Sequence, residues 1–65
     1  MKIDEIRVLS DVELIKRLEE SHQELFNLRF RAATRQLINH REIPSVRKRI
    51  ARIKTVIRER ELSVG

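Results

Sequence analysis

The chain has 65 residues, with 15 lysines and arginines against 10 aspartates and glutamates, 38% charged and 40% hydrophobic side chains, and no cysteine. That length bounds it to one small unit, and the missing cysteines exclude a disulfide framework or a thiolate zinc site. No apolar run exceeds two residues, so neither a membrane-spanning helix nor the apolar stretch of a secretory signal is expected, and the protein should be soluble and kept inside the cell.

The N-terminal piece carries Ile3, Ile6 and Leu9 at a spacing of three, which suits a short helix folding back on whatever follows. Ser10-Asp11-Val12-Glu13 matches a capping box. In that motif the serine hydroxyl accepts from the glutamate amide, while the glutamate carboxylate reaches back to the serine amide. Behind it Leu14, Leu18, Ser21, Leu25, Leu28 and Ala32 alternate steps of four and three, the spacing that keeps side chains on one seam of a helix. This helix is expected over about residues 10–37, because the chain has no glycine before Gly65 and no proline except Pro44.

Residues 38–43 read as a polar bend ending at Pro44, whose missing amide hydrogen is tolerated in a first helical turn. A second helix is expected over about residues 44–62, with Val46, Ile50, Ile53 and Ile57 as its seam, Ile43 one step earlier, and fraying towards Gly65. A short connection between two long helices favours antiparallel packing. The expected fold is all-α: one domain over residues 1–65, an antiparallel two-helix hairpin resembling a coiled coil, with a short N-terminal helix. So thin a seam predicts marginal stability for the free monomer, with a partner supplying what the core lacks.

Charge divides the chain. Residues 1–24 hold four basic and seven acidic side chains, a net of −3, and residues 25–65 hold eleven basic and three acidic, a net of +8. Eleven of the fifteen cations are arginine, whose planar fork engages phosphate bidentately and stacks on bases. Gln23, Phe26, Asn27, Phe30, Thr34 and Leu37 share an arc of the first helix away from its seam, flanked by Arg29, Arg31 and Arg35. On the second helix Arg47, Lys54 and Arg58 form one row beside the seam, and Lys48 and Arg52, with Arg49 further round, form another. No acid lies between Arg47 and Arg58 to neutralise them at helical spacing. The pattern points to the phosphates, sugars and bases of structured nucleic acid.

Other readings of these faces are open from the residues alone. Phe26 and Phe30 could cover the N-terminal piece or pad the hairpin. Two hairpins could pair through Phe26, Phe30 and Leu37 as a homodimeric coiled-coil interaction module without RNA. Basic helices with an apolar stripe also lie on anionic membranes, but the acidic first half and the lack of tryptophan argue against a membrane partner.

Catalysis and cofactors find no support. His22 and His40 stand apart with no metal-ligand spacing, and there is no glycine-rich loop to hold a nucleotide. Two helices build no cleft to perturb the pair Glu19-Glu20, and Ser10, Ser21, Ser45 and Ser63 lack a nucleophile's turn. No enzymatic activity, cofactor, metal or small-molecule substrate is expected.

Two blocks carry a resemblance. Gln23 to Ala33 followed by Gln36-Leu37, and then Val46 to Val56, together resemble the family of ribosomal protein twenty-nine of the large subunit, bacterial or organellar, over nearly the whole chain. The resemblance implies a helical hairpin that is a structural constituent of the large ribosomal subunit and takes part in translation. It implies a seat on large-subunit ribosomal RNA near the exit of the nascent-peptide tunnel, beside ribosomal protein twenty-three, where chaperones and targeting factors dock. It further implies a cytoplasmic ribosome, or one in an organelle stroma or matrix. Carried over position by position, it makes Phe26, Asn27, Arg29, Phe30, Gln36, Arg47, Arg52, Lys54 and Thr55 RNA-facing; the basic rows add Lys48 and Arg58. The family often has glycine at the position of Arg35, glutamine at Arg31 and an acid at Arg49. With arginine at position 35 the first helix is expected to run on, leaving Asn39 as its cap; extra phosphate contacts or a different RNA path would follow from the added charge.

Overall fold

The computed structural model describes residues 2–36 and 39–64. It holds α1 (Ile3–Arg7), α2 (Asp11–Ala33) and α3 (Glu42–Val64), with no strand among the described residues. The expected helical position of Leu37 and the fraying at Gly65 lie outside the described residues. The two long helices pack along each other as an antiparallel hairpin, and α1 lies against α3, in a rod of 45 × 17 × 16 Å.

Helix α2 starts where the capping box places it. The Ser10 oxygen accepts from the Glu13 backbone N–H at 3.2 Å. The return bond differs from the expected one: the Ser10 hydroxyl donates to Glu13 Oε1 at 2.9 Å, closing the ring through side chains. One turn on, the seam begins. Near the bend Leu25 and Leu28 are buried against Val46 and Ile50, with Leu18, Ala32 and Ile43 packed around them. At the open end Leu14 meets Ile6, Ile53 and Val56, flanked by Ile3, Leu9, Leu18 and Ile57. Ser21 is a buried polar residue on this seam, where its small side chain lets the helices approach.

On α3 the seam is wider than a two-helix register requires. Val56 is fully buried and Ile57 only partly so, because α1 packs beside α3 and Ile6 covers its Val56 flank. Arg60 then ties α1 in place: its guanidinium donates to Asp11 Oδ1 at 2.8 Å and to the carbonyls of Arg7 and Leu9. Arg7 reaches across to Glu59 at 3.2 Å. A five-residue helix cannot persist unaided, and these tertiary bonds with Ile6 in the core hold it.

Helix α2 ends at Ala33, short of the expected Leu37. Arg35 takes the left-handed conformation, φ 62°. The Gln36 N–H donates to the Arg31 carbonyl at 2.7 Å and the Arg35 N–H to that of Ala32 at 3.1 Å, the paired bonds of a Schellman termination. The Thr34 hydroxyl donates to the carbonyls of Phe30 and Arg31. Arginine therefore does here what glycine does more easily. Asn39 closes no helix: its side-chain oxygen accepts from the Arg41 N–H at 3.0 Å, and its carbonyl from that of Glu42, so it belongs to the turn that leads into α3. Pro44 is the third residue of α3, still within the turn where an amide hydrogen has no helical acceptor.

Candidate nucleic-acid interface

Two contact sets fix how the outer faces of the hairpin are arranged. Arg49 of α3 pairs with Glu24 of α2 at 2.8 Å, and one shallow cleft joins Arg17, Glu20, Ser21, Glu24 and Arg49. These residues mark one broad side, the side that also receives α1. With about 100° per residue on each helix, the opposite side presents Arg29 and, further round, Phe26 from α2 beside Arg47, Lys54 and Arg58 from α3, while Phe30 falls towards the back of α2. Antiparallel packing, with Leu25 and Leu28 against Val46 and Ile50, sets the phenylalanines level with Arg47.

The two sides differ in electrostatics. On the α1 side cations meet acids: Arg49 with Glu24, Arg17 with Glu20, and Arg7 with Asp4 and Glu59. On the other side Arg29, Arg47, Lys54 and Arg58 are exposed and make no ion pair among the described residues. Near Arg47, Phe26 and Phe30 are 69% and 60% exposed. They cover neither α1 nor the seam between the helices, so the padding role open from the sequence is not what they do in this fold. Phenylalanines so open to water beside uncompensated guanidinium groups make a surface that can stack on bases while holding phosphates.

The candidate residues thus divide. Arg29, Arg47, Lys54 and Arg58 flank one side of the hairpin, Phe26 borders it, and Phe30 lies towards the back of α2. Lys48, Arg52 and Thr55 are exposed on the outer and opposite flank of α3, and the Thr55 hydroxyl is spent on the Ala51 carbonyl at 2.9 Å. Asn27 lies on the back of α2, near Gln23 and Arg31. Gln36 stands in the bend, with its amide N–H used in the helix termination. Leu37 lies outside the described residues. Arg49 is no member of a free cationic row: the acid that holds it comes from α2 rather than from its own helix. Arg60 was not singled out from the sequence, although the seam step after Ile57 lands on it.

Residues 4–60 match the family described as "Ribosomal L29 protein". The chain belongs to the ribosomal L29 protein family. Among its relatives, the large ribosomal subunit protein uL29 of Finegoldia magna is 63% identical over 65 residues, covering 100% of this chain and 96% of its own length. That of Dehalococcoides mccartyi is 61% identical over 64 residues and 98% of each chain, and that of Desulforudis audaxviator is 56% identical over 64 residues. Arg49, which the resemblance singled out as added charge, makes a cross-helix ion pair to Glu24 here.

Proposed function

We propose that this chain, a structural and non-enzymatic constituent of the large ribosomal subunit by its family membership, binds large-subunit ribosomal RNA through the aromatic and basic face of its hairpin. The observation that carries this reading is the exposure of Phe26 and Phe30 on the helix that bears Arg29, with Arg47, Lys54 and Arg58 along the neighbouring helix, none of the four cations in an ion pair among the described residues. Arginines on two antiparallel helices hold phosphates at a fixed separation, which positions the protein without reading sequence. The phenylalanines supply stacking planes for unpaired bases. Lys48, Arg52, Asn27, Gln36 and Thr55 serve as flanking contacts where RNA wraps the rod.

The resemblance to ribosomal protein twenty-nine supports a seat near the nascent-peptide tunnel exit, beside ribosomal protein twenty-three and within reach of chaperones or targeting factors, in a cytoplasmic ribosome like that of its bacterial relatives. No described helix is long and apolar enough to cross a membrane.

Binding of the full chain to protein-free large-subunit ribosomal RNA, followed across salt concentration, tests the reading. The triple variant Arg29→Gln, Arg47→Gln, Lys54→Gln should flatten the log–log salt slope by a little under ~1 per lost contact. An unchanged slope, or a stable free dimer with no affinity for that RNA, would overturn it in favour of a protein-pairing module.

A further inference from the structure

Among the described residues Ser21 is the one buried polar residue, 3% exposed, and the fold leaves its hydroxyl without a use. The hydroxyls of Thr34, Thr55 and Ser63 each donate to a carbonyl three or four residues back, the usual recourse of a hydroxyl in a helix. Ser21 makes no such bond, and none to any other described residue. Across the seam the Nε of Arg49 is likewise buried and meets no acceptor, although Nη1 of the same guanidinium donates to Glu24 at 2.8 Å. A buried donor without an acceptor costs stability, so the two groups call for a shared partner.

The cleft that both residues line tells what that partner is. It measures about 330 Å³ and is walled by Arg17, Glu20, Ser21, Glu24 and Arg49. Two guanidinium groups and two carboxylates cancel in formal charge, so the cleft favours neither an anion nor a cation. Arg17 and Glu20 stand 3.8 Å apart, too far for a direct hydrogen bond. A small neutral molecule fits, one that accepts from the Nε–H, bonds the hydroxyl and donates to a carboxylate. Water does all three: buried waters make about three hydrogen bonds, and one takes about 30 Å³, well within the room available.

We propose that one water molecule is held between Ser21 and Arg49, accepting from the Nε–H, bonded to the hydroxyl and donating to the Glu24 carboxylate, so that it joins α2 to α3 at mid-rod. Ser21 stands between Leu18 and Leu25, where the cluster around Leu25 and Ile50 gives way to the one around Leu14 and Ile53. The water is the polar joint between those clusters. It gives the serine on an otherwise apolar seam a role that alanine, of nearly the same size, cannot fill. The site lies on the side away from Arg47, Lys54 and Arg58 and stands independently of the RNA-binding reading.

A crystal structure of the full chain, at a resolution that shows ordered solvent, should place a water within hydrogen-bonding distance of both Ser21 Oγ and Arg49 Nε. In solution the Arg49 Nε proton, followed by NMR, should exchange several-fold more slowly than that of the exposed Arg58. Urea denaturation of Ser21→Ala, Arg49→Lys and the double variant adds a test of coupling, because lysine keeps the charge opposite Glu24 and lacks the Nε donor. Each single change should lower the folding constant several-fold, and the double variant should fall no further than the less stable single one. A direct bond from Ser21 to Arg49, an anion in the water's place or a cleft without ordered solvent would overturn the proposal. So would additive losses, since Ser21 would then act through packing alone, or an Arg49 proton exchanging as fast as that of Arg58.

Discussion

The open end of the hairpin and its bend are built to different plans. At the open end three helices meet: Ile6, Leu14, Ile53 and Val56 are all but completely buried, and charges are matched by Arg60 with Asp11 and Arg7 with Glu59. Towards the bend only two helices remain. Leu25, Leu28 and Ile50 keep some exposure, Phe26 and Phe30 face water, and Arg29, Arg31, Arg35, Arg41 and Arg47 have no acid beside them in an ion pair among the described residues. The open end pairs its charges although Val8, Val12, Ile15 and Leu62 stay exposed there, and the bend end, apart from Arg49 with Glu24, leaves its arginines without ion pairs among the described residues. Folding and binding should therefore separate along the rod.

The sharpest way to break that division is Ile53→Ala at the open end. Emptying a fully buried position costs about 2–5 kcal/mol, enough to unfold so small a chain. Urea or thermal denaturation should show it, and a loss below about 1 kcal/mol would mean the open end is not the anchor. At the other end the pair Phe26→Ala, Phe30→Ala should cost RNA affinity about 1–3 kcal/mol for each base that was stacked and leave the unfolding midpoint nearly unmoved. A midpoint falling as far as in Ile53→Ala would place these rings in the core instead.

Smaller effects refine the picture. Arg60→Ala removes a guanidinium that holds one carboxylate and two carbonyls, and about 1–2 kcal/mol of stability should go with it. Amide exchange should accelerate in α1 first, whereas uniform acceleration across α2 would contradict its role as a local tie. Ser10→Ala deletes the cap and should cost about 1 kcal/mol. Neither change should alter RNA salt slopes.

Much of the fold was legible in periodicity. Leu14, Leu18, Ser21, Leu25, Leu28 and Ala32 face α3 as their spacing requires, and the all-α hairpin follows from the family and from the helices themselves. Val56 escaped because a seam read for two helices has one contact line, while α1 adds a second on that flank. The end of α2 escaped because arginine is a poor candidate for a left-handed residue, so nothing local marks position 35 as a stop. Charge rows were legible as rows but not as free or paired: Glu24 lies 25 positions from Arg49, and only packing reveals that they meet. Of the candidate interface, the residue types could be read off the chain, whereas the approach of Arg29 on α2 to the side that bears Arg47 and Lys54 on α3 depends on the antiparallel register.

That register has a practical corollary. Because α1 is pinned to the last turns of α3, the first and last described residues sit at the same end, with α2 running some 34 Å away to the tip. A fluorophore or affinity handle fused at either terminus would stand clear of the arginine-rich tip, so distance-dependent quenching between such a label and a docked polynucleotide could gauge which part of the rod touches first.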